Sequence, residues 1–468
     1  MLRFRVSAFA GVLLLCLLGV SCGDVYRPVA QVIPLPSPNP ASFHYVISVS
    51  ANGNNFLLPS GACTPSGTPP PCIADPGAAS RIDVSGDSTV GVLRVGVTPT
   101  HAALLPNATK LYVANSADDT VYVNNTSTPT ALAAVVNLPP GSRPAFVHTA
   151  ENASVYVANS GNNTVSVINA GSNVVTATVS VGTAPVALAE MPNGPIANQK
   201  LYVANQVSGD VSVINVIDDT VQPQTIPVGP SPRWAVARSD GARIYVLDNN
   251  GNIYDINTLS DTVTGIASSG GSGANFMLYN SLNNTLLVTN SASATVSVFD
   301  ASVDPPALRP NSPIAIPAPA VAGYRCQTAL IPVAATVLPD GRAYVASYQV
   351  DAGVVCSQVS VVDSAAGAVT KTIPLTQSPD ASTQTGCGTA RFRVFPVSSG
   401  GGSTSNFKVY VAQCDVGSVA VIDTYPVNGN PADTYAGISL PAPLSSFTPV
   451  GQPPIPPYQN PVFLVAGP

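Results

Sequence analysis

One short strand motif returns along the 468-residue chain at intervals that fix the architecture before any other feature is read. Residues 112–115, 156–159 and 202–205 all read Tyr-Val-Ala-Asn. Looser copies begin at Tyr245, Leu287, Tyr344 and Tyr410. Successive first positions lie 44, 46, 43, 42, 57 and 66 residues apart. A period of roughly 40–45 residues is one supersecondary unit, which buries its apolar faces only by packing on neighbouring copies.

The residues between the copies define the unit. After each tetrapeptide comes a turn and a second strand, as in Thr164 to Ile168, Asp210 to Ile214, Thr295 to Phe299 and Gln358 to Val362. Small polar residues alternate there with branched apolar ones, the period-two pattern of a strand. The joining turns are rich in Asn, Asp and Gly, as in Ser160 to Asn163, which suits tight hairpins. A third strand, for example Val175 to Val181, ends in G-x-x-P at Gly96–Pro99, Gly141–Pro144, Gly182–Pro185 and Gly229–Pro232. Gly is expected there to let the chain turn sharply, and Pro to open the next strand where no ladder donor is needed. That strand leads back to the next Tyr-Val. The result is a four-stranded antiparallel meander with no helix-period segment, which excludes a parallel α/β sheet. Composition agrees: only 9% of residues are charged and 45% are hydrophobic. That leaves little material for solvent-facing helices and enough to cover both faces of each sheet.

These motifs resemble the YVTN β-propeller repeat family, in which Y-V-T-N is followed by a V-x-V-I-D strand and a V-G-x-x-P turn. The resemblance is strongest over residues 95–300. It implies an all-β fold, a single β-propeller of four-stranded antiparallel blades in the envelope or outside the cell, and it carries no catalytic motif. Besides the seven tetrapeptides, residues 43–46 (Phe-His-Tyr-Val) open another unit, with Ser80–Val84 and Val92–Val95 as partner strands. Eight blades are therefore expected, against a family norm of seven. The terminal strand Pro461–Ala466 is expected to complete the first blade and close the ring.

The N-terminus is a leader. Arg3 and Arg5 precede an apolar run, Ala8 to Val20, too short to span a bilayer and suited to a signal peptide. It ends at Leu18-Gly19-Val20-Ser21-Cys22, which resembles a bacterial lipobox and implies lipidation of Cys22. Ordinary cleavage and secretion is the alternative. The expected organisation is residues 1–22 as leader, 23–42 as a Pro-rich spacer and 43–468 as propeller. Beyond Cys16 and Cys22, six cysteines remain, an even number suited to an oxidising compartment.

Strand order places those six. With strands A to D running outward from the axis, B-to-C and D-to-next-A connections share one face. Cys63 and Cys72 fall in a long B-to-C loop. Cys326 and Cys387 precede A strands, Cys356 is assigned to a B-to-C loop, and Cys414 follows a Tyr-Val strand. All six are expected on that face, paired Cys63–Cys72, Cys326–Cys356 and Cys387–Cys414.

Little chemistry is legible. The net charge is −6 and no Lys/Arg cluster exists, so a nucleic-acid partner is not expected. Of the three histidines, His44, His101 and His148, the last two lie near the starts of inner strands but have no third ligand for a shared metal, and no cofactor is expected. Asp118-Asp119 and Asp218-Asp219 read as turn residues and not as calcium ligands. No catalytic residue is proposed, since G-x-S-x-G, HExxH and paired CxxC are absent. His101, Phe146, Arg233 and Trp234 all lie near the starts of inner strands, where an Arg and aromatic rings suit an anion or a sugar face. The reading is a monomeric, envelope-tethered binding or scaffold protein. Its pinned loop face or axial mouth would take a protein, glycan or small ligand, and a lipid would be its only membrane contact. The alternatives are a propeller-type enzyme, lactonase-like hydrolase or oxidoreductase, with an axial site, and a purely structural surface component.

Overall fold

The computed structural model describes residues 45–51, 77–126, 132–192, 199–321, 323–380, 387, 390–400, 407–426, 432–440 and 459–467. The leader with Cys22, the Pro-rich spacer, His44, Cys63 and Cys72 lie outside the described residues.

Every element is a β-strand, and the strands form eight antiparallel sheets. Each sheet is one blade. From the axis outward, the second blade runs Pro99–Leu104, Lys110–Asn115, Thr120–Asn125 and Leu132–Asn137. The eight innermost strands touch one another in a single closed cycle, so the protein is an eight-bladed β-propeller. The first blade is built from both chain ends: Asn460–Ala466 pairs antiparallel with Tyr45–Ala51 and supplies the inner strand. No edge is left open at the centre.

The repeat motif explains the packing. Six of the seven tetrapeptides begin with a fully buried Tyr, and in five of these the hydroxyl reaches the outer hairpin of the next blade. Tyr112 donates to Asn173 at 3.1 Å, Tyr156 to Asp219 at 3.1 Å, Tyr344 to Asp433 at 2.6 Å, and Tyr410 to Asp87 at 2.7 Å. Each acceptor sits at positive φ in a tight turn, a conformation that Asn and Asp tolerate through local hydrogen bonding. The Tyr410–Asp87 contact joins the eighth blade to the first and so closes the circle. The terminal Asn of the motif braces the hairpin that follows: Asn159 donates to Thr164 and Ser166, Asn205 to Asp210 and Ser212, Asn290 to Thr295 and Ser297.

Two local expectations change. The G-x-x-P glycines at positions 96, 182 and 229 have ordinary φ, and the left-handed residue is the one just before Pro: Thr98, Ala184 and Ser231. Gly is needed because a Cβ would stand 2.5 Å from Asp118 at position 96, 2.5 Å from Asn205 at position 182 and 2.1 Å from the Tyr254 hydroxyl at position 229. The outer strand is also not always continuous. In the fourth and sixth blades it is split into Thr220–Val221 with Ile226–Pro227, and Ala307–Leu308 with Ile314–Ala315. Pro223, Pro310 and Pro313 in the gaps supply no ladder donor.

Candidate functional site

The inner strands carry a recurrent β-bulge near their first residue. Register shifts between Pro99 and His101, Pro144 and Phe146, Pro185 and Ala187, Pro232 and Trp234, Ala274 and Phe276, and Pro332 and Ala334. The residue after the bulge is thereby set at one level around the axis. Phe463 takes the corresponding place in the first blade, and Phe395 takes it in the eighth, which has no bulge. The belt therefore reads His101, Phe146, Ala187, Trp234, Phe276, Ala334, Phe395 and Phe463.

These rings close on one another. His101 stacks on Phe146 with centroids 3.8 Å apart, and Phe395 lies 4.4 Å from Phe463. Trp234 lies 4.9 Å from Phe276 and meets Phe146 edge-on at 6.0 Å. Phe392, from the connection entering the eighth blade, fills the middle and contacts Trp234, Phe276, Phe395 and Phe463. It is 3% exposed, so the axis is stoppered by aromatic side chains at this level. Offset and edge-to-face pairs of this kind add to the area they bury.

Three of the four sequence-derived axial residues, His101, Phe146 and Trp234, thus share one cluster. His101 is 8% exposed, and its Nδ1 has no hydrogen-bond partner. Burial, and next the positive charge of Arg391, push its pKa down to about 3, so it is a neutral ring at any ordinary pH. Arg233 sits in the bulge just before Trp234, with its Nε buried and without a partner.

Arg391 and Phe392 were not singled out in the sequence, because they lie in an irregular connection outside the repeat. Arg391 occupies the gap left by Ala187. Its guanidinium lies 4.4 Å above the Trp234 ring and donates to the backbone oxygens of Val186 at 3.3 Å and Arg233 at 3.0 Å. Both acceptors are bulge residues without a cross-strand partner, which leaves their carbonyls free for a side chain. Arg391 is exposed to solvent in the mouth. Lost hydration, and then Arg233, lower its pKa to about 10, still a cation at neutral pH.

The surrounding loops are pinned. Cys326–Cys356 and Cys387–Cys414 are disulfides, as the strand order predicts. Cys356 lies inside the strand Val354–Asp363 and not in a loop, because each strand of this hairpin runs four residues beyond the usual length, to Asp351 and Val354. Arg393, two residues from Arg391, is held by Asp415 through Nε at 2.9 Å and by Asp380 through Nη2 at 2.7 Å. Near the opposite end of the axis, His148 Nε2 lies 3.0 Å from Glu190. No group of three or more metal-ligating side chains occurs among the described residues.

No family model matches the chain, and no curated protein matches it. Solved structures do align. Hydrazine synthase of Kuenenia stuttgartiensis aligns with TM-score 0.49 and 15% identity, over 70% of this chain and 96% of that one. The β-propeller domain of Cps50 (Swd1) from Myceliophteria thermophila gives 0.47 and 10%, over 60% and 88%. A functionally unknown protein from Desulfotomaculum acetoxidans gives 0.42 and 17%, over 50% and 77%.

Proposed function

We propose that this propeller is a binding scaffold of the cell envelope, exported by its leader, tethered through a lipid on Cys22, and related to the YVTN repeat proteins. One observation carries the reading: both described disulfides and the Arg393 carboxylate clamp lie around the same axial mouth, on the face of the B-to-C and D-to-A connections. Regular blades hold together without such pins. Rigid loops on a stable ring are where recognition surfaces form, and structural disulfides are compatible with an oxidising compartment. Nothing singles out a protein partner over a glycan.

The test is a comparison of the full chain with Cys326→Ser/Cys356→Ser and Cys387→Ser/Cys414→Ser on arrays of envelope glycans and proteins. Folded double variants that lose a captured component support the reading. A component captured equally by all three overturns the role of the pinned face. The anchor is tested separately: Cys22→Ala should leave the membrane fraction, and unaltered fractionation removes lipidation from the account.

A further inference from the structure

We propose that the axial mouth on the disulfide-bearing face binds an oxyanion, a carboxylate or a phosphate, held by the guanidinium groups of Arg391 and Arg233 above the Trp234 ring. This rests on the reading of that face as the binding face and names the chemistry of its centre.

The charge arrangement is the first argument. Arg238, Arg243, Arg342 and Arg393, like Lys200 and Lys408, each hold an Asp within 4.0 Å. Neither Arg391 nor Arg233 takes part in an ion pair among the described residues, although the two stand close enough for the charge of Arg233 to depress the basicity of Arg391. Two neighbouring uncompensated cations, one of them laid over the Trp234 ring, are electrostatically unfavourable, and a bound anion relieves them. The protein as a whole is acidic, so this field is local to the mouth.

Hydrogen-bond capacity is the second. A guanidinium carries five N–H donors in a planar fork. Arg391 gives two bonds to the neutral carbonyls of Val186 and Arg233, which fix its plane without cancelling its charge. The remaining donors are free for an oxyanion. The buried, unpartnered Nε of Arg233 is a further donor in want of an acceptor.

Placement is the third. Arg391 is four residues from Cys387 and two from the clamped Arg393, so its backbone is held before any ligand arrives. A rigid fork loses little entropy on binding. Ala187, in place of the aromatic found in most other blades, makes the room.

Trp234 is the only tryptophan of the chain and lies directly beneath the guanidinium, so its fluorescence reports the site. The full chain is titrated with sodium glucuronate and, separately, with inorganic phosphate, against sodium chloride at matched ionic strength, with calorimetry in parallel. A saturable response to either probe, weakened at least about tenfold by Arg391→Met and partly restored in Arg391→Lys, supports the site. The preferred probe separates a sugar acid from a phosphate group. Arg233→Met should weaken binding independently, and Arg94→Met, on an outer strand, should not. No saturable heat or fluorescence change with either probe, or equal binding by folded Arg391→Met, overturns the proposal. Failure of the full chain to capture any envelope component, with anion binding retained, would sink only the scaffold reading.

Discussion

Tyr202 donates its hydroxyl to Asp261 at 2.6 Å, from the second strand of the fourth blade to the outer hairpin of the fifth. Lys200 grips the same carboxylate at 2.6 Å, and Asp261 is held in the left-handed region at φ 52°. The interface between these blades is therefore a polar clasp laid over an apolar seam. Burial and the neighbouring carboxylate both push the phenol pKa upward, so the tyrosine stays a donor throughout the usual pH range. Tyr202→Phe keeps the ring and removes the bond. With Lys200 still pairing the carboxylate, the expected loss is about 1.5 kcal/mol of unfolding free energy. It should be read as a lower denaturation midpoint with an unchanged slope.

Asp255 should behave in the opposite way. Its register partner is Tyr245, and the matching residue in other blades is valine: Val123, Val167, Val213, Val298, Val361 and Val421. The carboxylate is buried with neither oxygen hydrogen-bonded, and Arg243 Nε is 3.6 Å away. Desolvation raises its pKa to about 6, against which Arg243 acts only partly. The folded state thus holds a proton that the unfolded chain releases near pH 3.8. This contribution to stability is complete below that pH and is lost as pH rises through about 6. Asp255→Val should raise stability at pH 7 by on the order of 2 kcal/mol. The gain should shrink toward pH 4 in parallel melts; an equal gain at both pH values would refute the assignment.

Reduction should act on the pinned loops through the unfolded chain. Cys387–Cys414 closes a separation of 27 residues, and its loss is expected to cost about 3 kcal/mol. Cys387→Ser/Cys414→Ser should melt lower than the parent and respond less to dithiothreitol. The Trp234 environment should also change, since Phe392 and Arg391 hang from the same segment. A variant with parental melting and parental fluorescence would show that Arg393 and its two aspartates suffice.

Deleting the last strand, residues 459–468, should be far more damaging than its length suggests. Phe463 contacts His101, Phe392 and Phe395, and Gln459 accepts hydrogen bonds from Ser50 and Ser80. The truncated chain exposes the inner edge of Tyr45–Ala51 and part of the axial cluster. It is expected to aggregate, or to lose amide protection first in the first and second blades. Phe463→Ala probes the same closure more gently, with an expected loss of about 3 kcal/mol.

The ring, the eight blades and the terminal strand exchange are legible in the sequence because the repeat imposes them. In most blades strand B offers Tyr to its neighbour and a polar residue, Asn in four of them, to its own hairpin, and such double demands leave a readable motif. The cysteine pairs follow from strand order alone. What escapes is whatever the repeat does not constrain. Arg391 and Phe392 come from one irregular connection, and nothing in their spacing places them on the axis. Part of the belt is legible, since His101, Phe146 and Trp234 each stand two residues after a G-x-x-P proline, whereas Phe276 and Phe395 follow no such proline and leave no signal. At Gly96, Gly182 and Gly229 the glycine avoids side chains some twenty residues downstream, a contact with no local trace, whereas Gly141 does take the positive φ that a sharp turn needs.

The first blade has a consequence for how the chain is made. Tyr45 to Ala51 leaves the ribosome well before its inner partner, Asn460 to Ala466. Between the two events the nascent chain carries a largely apolar strand with one bare side, and seven blades accumulate beside it in an open arc. Stability of the finished circle therefore depends on a single late docking event. Any stalled or clipped product lacking Asn460 to Ala466 is left with a sticky end, ready to pair with another unfinished copy.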